Sequence, residues 1–257
     1  MIVRTDAVVL HAFDYGETSR IVRLLTRQHG VIGVMARGAR RPTSAFGSTL
    51  QPASYVQAVY YHRAERGLQT LKEAAHVIRW TALTRDIERV TMAMRVVEVA
   101  RLLIEEGESH PLALDLTVRT LEFVETAEPD RAAIAVPWYQ LRLAALLGFA
   151  PDVRRDDVLA VGDDGGRLVL QTGSIASRAG GEGVRASRAA LRAFAVLART
   201  GLDTVGRMRL APDERRELEH LVDAFVRLQT DVTFPDRVRT VVAQIDAHLP
   251  SRPPGEP

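Results

Sequence analysis

Gly30-Val31-Ile32-Gly33-Val34-Met35-Ala36 runs straight on into Arg37-Gly38-Ala39-Arg40-Arg41-Pro42-Thr43-Ser44, and the reading of this chain turns on that stretch. Its first seven residues are a short apolar run entered through the turn Gln28-His29-Gly30, which reads as a β-strand. The eight that follow form a Gly- and Ser-bearing loop with three arginines in five residues. The same texture recurs on either side. Ile2 to Leu10 is rich in Val and Ile with partial alternation, and Ile21 to Thr26 is a second short run. Ser54 to Tyr61 places Tyr55, Val59 and Tyr61 on alternating positions, and Leu68 to Val77 is entered through Arg66-Gly67. Five short strands spaced roughly 8–12 residues apart predict a small closed or partly closed β barrel, each strand burying one face.

After Trp80 the period changes to that of a helix. Leu83 to Glu106 carries Ile87, Val90, Met94, Val97 and Ile104 at helical spacing, with Gly107 as a stop. Ala113 to Glu125 is a second helix, broken by Pro129-Asp130; a third runs to Leu147, with Pro137 either kinking it or marking its first turn, and ends at Gly148. Val158–Val161, the tip Gly162-Asp163-Asp164-Gly165-Gly166 and Arg167–Leu170 read as a β-hairpin. Helices resume over Ala189–Arg199, Pro212–Val226 and Pro235–His248, and the proline-rich tail from Pro250 to Pro257 is expected to be disordered. The fold class is therefore α+β. Its expected units are a barrel over 1–80, a helical domain over 81–150 and 184–249, a hairpin insert over 151–183, and the tail over 250–257.

Composition excludes several classes. At 257 residues, 46% hydrophobic and 26% charged, the chain is neither disordered nor fibrous. No apolar run approaches the ~18 residues of a membrane span, and the N-terminus is charged where a signal peptide would be apolar, so the expected location is the cytoplasm. The absence of cysteine excludes disulfides, thiolate metal sites and thiol nucleophiles. Phosphate-binding loops, nucleophile elbows and paired-histidine metal motifs are missing, and the histidines are scattered with no i, i+4 pair. Asp152, Asp156, Asp157, Asp163 and Asp164 have the chemistry to hold a hard cation, but a solvated turn and hairpin tip explain them as well. No catalytic site is visible.

The charge distribution is more specific than the total. Residues 1–80 hold eleven basic against five acidic residues, a net of +6, so the overall +2 leaves −4 for the rest. Arg37, Arg40 and Arg41 on a loop at a barrel's mouth can reach several phosphates at once, with the salt-sensitive, sequence-indifferent affinity that counterion release produces. Arg20, Arg23 and Arg27 extend the candidate surface along the second strand. Half of the chain's fourteen aromatics fall in the first 80 residues. They suit base stacking, although a small barrel core needs most of them.

One family unites these features. Val8-Val9-Leu10, Asp14-Tyr15-Gly16-Glu17-Thr18-Ser19-Arg20-Ile21-Val22, Leu24-Leu25-Thr26, Gly30, Ala36-Arg37-Gly38-Ala39-Arg40, Ser44 and Leu50-Gln51-Pro52 follow one another in the order and spacing of a known domain. The first 80 residues closely resemble the N-terminal domain of the RecO family of bacterial recombination and DNA-repair mediators. Leu146-Leu147-Gly148-Phe149-Ala150-Pro151 is similar to that family's helix exit. The resemblance implies an OB-fold, a helical domain and a non-enzymatic protein that binds single- and double-stranded DNA and anneals complementary strands. It implies work with RecR in loading a recombinase onto strands coated by single-strand-binding protein, whose acidic, Phe-ended tail such proteins grip, with RecF as a further candidate partner. It places DNA binding on Arg37 and Arg40, with Arg41, Arg20 and Arg23 as neighbours by charge. Many members bind zinc through four cysteines where this chain has 151–183, and with no cysteine here zinc is expected to be absent. The tail needs an apolar pocket with a cationic rim, for which Arg95, Arg101, Arg119 and Arg142 are equal candidates. The alternatives are a protein-only adaptor within a repair complex, and a metal-dependent nuclease using the 152–164 acids.

Overall fold

The computed structural model describes residues 1–177 and 182–232. Five strands come first: β1 (Ile2–Tyr15), β2 (Ser19–Thr26), β3 (Gly30–Ala36), β4 (Tyr55–Tyr61) and β5 (Leu68–Ile78). They close into a barrel in the order β1-β2-β3-β5-β4, with β1 also paired to β4 and one parallel pair, β3 with β5. This is the OB-like barrel expected from strand spacing.

Val8-Val9-Leu10 is continuously apolar because both faces of β1 are covered. Val3, Ala7 and Val9 point into the barrel with Val22, Leu24, Val34, Val56 and Tyr60. Val8 and Leu10 point outward and join Leu25, Val31 and Tyr55 in a second core shared with the helices. The register slips between Val9 and His11, and this bulge re-aims the strand so that Ala12 faces inward again opposite Val22. Each fully buried aliphatic side chain contributes about 1.5–3 kcal/mol, so one strand ties two cores together.

The helical part begins with a short 3-10 turn at Ala82–Thr84, then α1 (Ile87–Leu103), α2 (Pro111–Thr126), α3 (Pro129–Ala132) and α4 (Ala135–Leu146). The helix expected from Leu83 starts four residues later because Asp86 caps it, its carboxylate accepting the Glu88 and Arg89 backbone N–H groups. Pro137 lies in the first turn of α4, where its missing N–H costs nothing. α4 is buried on nearly every side, with Val136, Trp138, Tyr139, Leu141, Leu143 and Ala144 all inside.

The insert differs from the sequence expectation. Arg155–Leu159 is a short helix, α5, so Val158–Val161 is not a hairpin arm. The strands are β6 (Gly166–Val169), β7 (Ser174–Ala176) and β8 (Val184–Ala186), ordered β7-β6-β8. The correction has a local cause: Asp156 and Asp157 lie in the first turn of α5, where carboxylates favour a helix N-terminus. The tight turn falls instead at 170–173, where Gly173 (φ +71) packs so closely on Pro151 and Phe225 that a side chain would collide with both. Helices α6 (Arg188–Arg199), α7 (Leu202–Val205) and α8 (Pro212–Thr230) follow among the described residues. The helix expected over Pro235–His248 and the tail over 250–257 lie outside the described residues. No helix among the described residues is long and apolar enough to cross a membrane.

Barrel and helices are joined by specific contacts. The Trp80 indole N–H donates to the Ala53 carbonyl at 2.9 Å. Glu125 accepts the backbone N–H groups of Thr81, Ala82 and Leu83 at 2.8, 3.0 and 2.8 Å, pinning the connection between the two parts. Burial pushes the Glu125 carboxyl up, but these three donors and Arg89 outweigh it and leave the group below its ordinary value. At the β2–β3 turn Gly30 (φ +59) lies against the Glu108 carbonyl, where no side chain would fit.

Candidate nucleic-acid interface

The arginines singled out from the sequence divide between three surroundings. Arg20 and Arg40 come together at one mouth of the barrel and share one carboxylate. Arg20 Nε lies 3.0 Å from Asp14 Oδ1, and Arg40 Nε lies 3.2 Å from Asp14 Oδ2. Arg40 also donates through Nη1 to the carbonyls of Gly16 and Glu17 at 2.9 and 3.2 Å, and its backbone N–H reaches the Thr18 carbonyl at 2.9 Å. Arg40 thus fastens the loop after β3 onto the β1–β2 hairpin. Arg37 and Arg41, on the same loop, are exposed, and neither has a carboxylate within ion-pair distance among the described residues.

Arg23 and Arg27 lie elsewhere. Arg23 shares the outward face of β2 with Leu25 and pairs with Glu106, beyond the end of α1. Arg27 makes a two-pronged contact with Asp115 of α2, at 2.5 and 3.3 Å, and that hydrogen bond raises its guanidinium above its ordinary value. Both residues therefore join barrel to helices. They satisfy carboxylates from another part of the chain, a role that strand spacing alone does not reveal.

The aromatics also divide. Phe46, Tyr55 and Tyr60 are buried, Trp80 is held at the joint, and Phe13, Tyr15 and Tyr61 are exposed. Tyr60 plugs the barrel interior, and its hydroxyl lies 2.7 Å from His29 Nδ1, whose ring stacks on His62 at 4.3 Å. Burial pushes the Tyr60 phenol up to about 12 and, with His62, pulls His29 down. Phe13 and Tyr15 flank Asp14 at the hairpin, beside the Arg20–Arg40 mouth.

A second basic grouping was not singled out from the sequence. Arg63 and Arg66, in the turn between β4 and β5, line a cleft of about 330 Å³ with Arg37, Tyr61, Leu68, Gln69 and Thr70. The signal in the sequence was weak: two arginines in His62-Arg63-Ala64-Glu65-Arg66-Gly67, diluted by an acid. Only closure of β3 against β5 brings Arg37 to that turn.

Two of the five aspartates singled out from the sequence are held in ion pairs. Asp163 pairs with Arg188, and Asp152 with Arg154 at 3.5 Å. Among the described residues no three of His, Cys, Asp and Glu converge to hold a metal. Among the described residues, the 151–183 stretch thus presents neither thiolates nor a converging set of other ligands. Val161, Leu168, Ile175 and Ala186 are instead buried in the helical core, and Gln229 of α8 donates to the carbonyls of Leu170 and Gln171 at 2.8 and 2.9 Å.

Of the helical arginines, Arg95 faces Glu219 and Asp223, Arg101 grips Glu98 in a two-pronged contact, and Arg142 donates to the Ala198 carbonyl at 3.3 Å. Arg119 is exposed. A groove of about 640 Å³ is lined by Leu102, Leu146, Leu147 and Phe149 together with Glu105, Glu108, Asp231 and His110. Its charge is the wrong sign for an acidic tail.

Comparison with known proteins bears on this arrangement. Residues 1–78 match the family model described as recombination protein O N terminal, and residues 84–237 match recombination protein O C terminal. The chain is 49% identical over 252 residues to the DNA repair protein RecO of Salinibacter ruber, covering 97% of this chain and 96% of that one. It is 29% identical over 231 residues to the DNA repair protein RecO of Exiguobacterium sibiricum, covering 88% and 91%. It is 31% identical over 154 residues to that of Bacillus subtilis, covering 60% and 58%.

Proposed function

The chain belongs to the RecO family, with a role in DNA repair and recombination, and on that premise we propose that it binds single- and double-stranded DNA and anneals complementary strands. The observation that carries this reading is the loop after β3. Arg40 fastens the loop to the barrel mouth, leaving Arg37 and Arg41 exposed and without a carboxylate partner among the described residues. Guanidinium groups on a fixed loop neutralise phosphates without reading bases, so two strands can approach while base pairing supplies the recognition. No bond is made or broken, in keeping with a family of repair mediators rather than catalysts.

The further steps rest on the resemblance. The protein works on chromosomal DNA in the cytoplasm with RecR, and RecF is a candidate further partner. It grips the tail of single-strand-binding protein and helps load the recombinase. Arg119 suits the tail's terminal carboxylate better than Arg95, Arg101 or Arg142, because those three already have acceptors. The competing reading, a protein-only adaptor, draws on Asp14 and Glu106, which already pair with Arg20, Arg40 and Arg23.

Fluorescence anisotropy of a labelled single-stranded oligonucleotide across several salt concentrations, followed by annealing in the presence of EDTA, separates the two. Binding that weakens steeply with salt and annealing that survives chelation support the DNA reading. Absence of both leaves the adaptor.

A further inference from the structure

The β4–β5 turn is held by one buried side chain. Gln69 accepts the Arg63 backbone N–H at 2.8 Å through Oε1 and donates through Nε2 to the carbonyls of Arg63 and Arg66 at 3.0 and 2.5 Å. Both ends of the amide are used, and Gln69 is only 6% exposed, so the backbone bearing the two arginines is fixed before any ligand arrives. Arg37 reaches the same cleft from the exit of β3, because Met35 pairs with Thr70 across the parallel closure. Among the described residues, no carboxylate lies within ion-pair distance of Arg37, Arg63 or Arg66, and Glu65 in the same turn pairs with none of them. The mouth around Arg20 and Arg40 holds the Asp14 carboxylate between its two guanidiniums, whereas no carboxylate lines this cleft among the described residues. At its edge Tyr61 is 45% exposed.

We propose that this cleft is a subsite for an unpaired DNA strand, with Arg37, Arg63 and Arg66 on successive phosphates and one base stacked on Tyr61. The proposal rests on the reading of the barrel as a DNA-binding domain and adds a strand preference to it. A ring face is free to stack only on a base released from its own neighbours, so Tyr61 discriminates in favour of single strands, whereas the arginines serve either form. OB barrels bind oligonucleotides between their β1–β2 and β4–β5 loops, which are the two ends of the surface described here.

The test uses the full chain with a labelled oligothymidylate and a duplex of equal length, at several salt concentrations. Tyr61→Leu is expected to weaken single-strand binding at least about five-fold while leaving duplex binding within about two-fold; Tyr61→Phe, which keeps the ring, stays at the wild-type level. The double variant Arg63→Ala/Arg66→Ala is expected to flatten the single-strand salt slope by about 1.4. Circular dichroism and melting confirm that each variant folds, as expected for an exposed ring and turn arginines. Photocrosslinking of a 5-iodouridine oligonucleotide to Tyr61 supports the subsite, and crosslinking only to other aromatics overturns it. If the wild type binds DNA and Tyr61→Leu keeps its single-to-double-strand ratio, the subsite is wrong and the barrel reading stands. A wild type that binds neither form overturns both.

Discussion

Asp14→Asn is expected to tighten DNA binding. The carboxylate sits between two guanidiniums that a phosphate would otherwise use, 3.0 Å from Arg20 and 3.2 Å from Arg40. The side chains involved are 51%, 29% and 37% exposed, so each pair is of the solvated kind worth about 0.2–1 kcal/mol. An arriving phosphate must displace this carboxylate or meet its charge at close range. Removing the charge therefore releases about 0.4–2 kcal/mol for binding, which is about two- to thirty-fold in affinity. It also makes two more arginines available for counterion release, steepening the salt slope for single strands by up to about 0.7 each. The loss to folding stability is at most about 2 kcal/mol, and the hydrogen bonds from Arg40 to Gly16 and Glu17 still hold the loop. Anisotropy of a labelled oligonucleotide, measured for both proteins at matched salt concentrations, reads affinity and slope together. Weaker binding, or an unchanged slope, would refute the reasoning and make Asp14 a residue that positions the two arginines instead of masking them.

Three further outcomes follow from the structure. Replacing Arg37, Arg40 and Arg41 together by Ala should weaken DNA binding and flatten its salt slope; unchanged affinity across the salt series would remove the loop from the interface. Glu125→Ala should cost about 1–3 kcal/mol in urea unfolding at neutral pH, because three backbone N–H groups lose their acceptor. Since the folded-state carboxyl lies below its ordinary value of 4.5, its contribution is complete above that value and is lost as pH falls through the lower one. The gap between wild type and Glu125→Ala should thus close on acidification, and an equal gap at about pH 7 and about pH 3 would contradict the assignment. Finally, a strong chelator should leave the thermal unfolding midpoint unchanged, since Leu168 and Ile175 anchor the insert in the helical core and the chain has no thiolates; stoichiometric zinc in the purified protein would overturn this.

Local pattern settled much of this molecule. Strands announce themselves by alternation and by the turns between them, so β3 was legible to the residue, whereas Pro137 suits a kink or a first turn equally in the sequence and only the structure places it in the first turn of α4. The insert was misread because Val158–Val161 is too short for periodicity to separate strand from helix, and the two aspartates that start α5 also suit a turn. Only the tertiary structure decided which arginines remain free. Whether a guanidinium can meet a phosphate depends on the carboxylates around it, and these come from other parts of the chain: Glu106 for Arg23, Asp115 for Arg27, and Asp14 of β1 for Arg40. The same holds for the cleft beside Tyr61, which exists because β3 and β5, distant in sequence, close the barrel side by side. Sequence carries the sign and number of the charges, but pairing falls off within a few ångströms, and only the fold sets those distances.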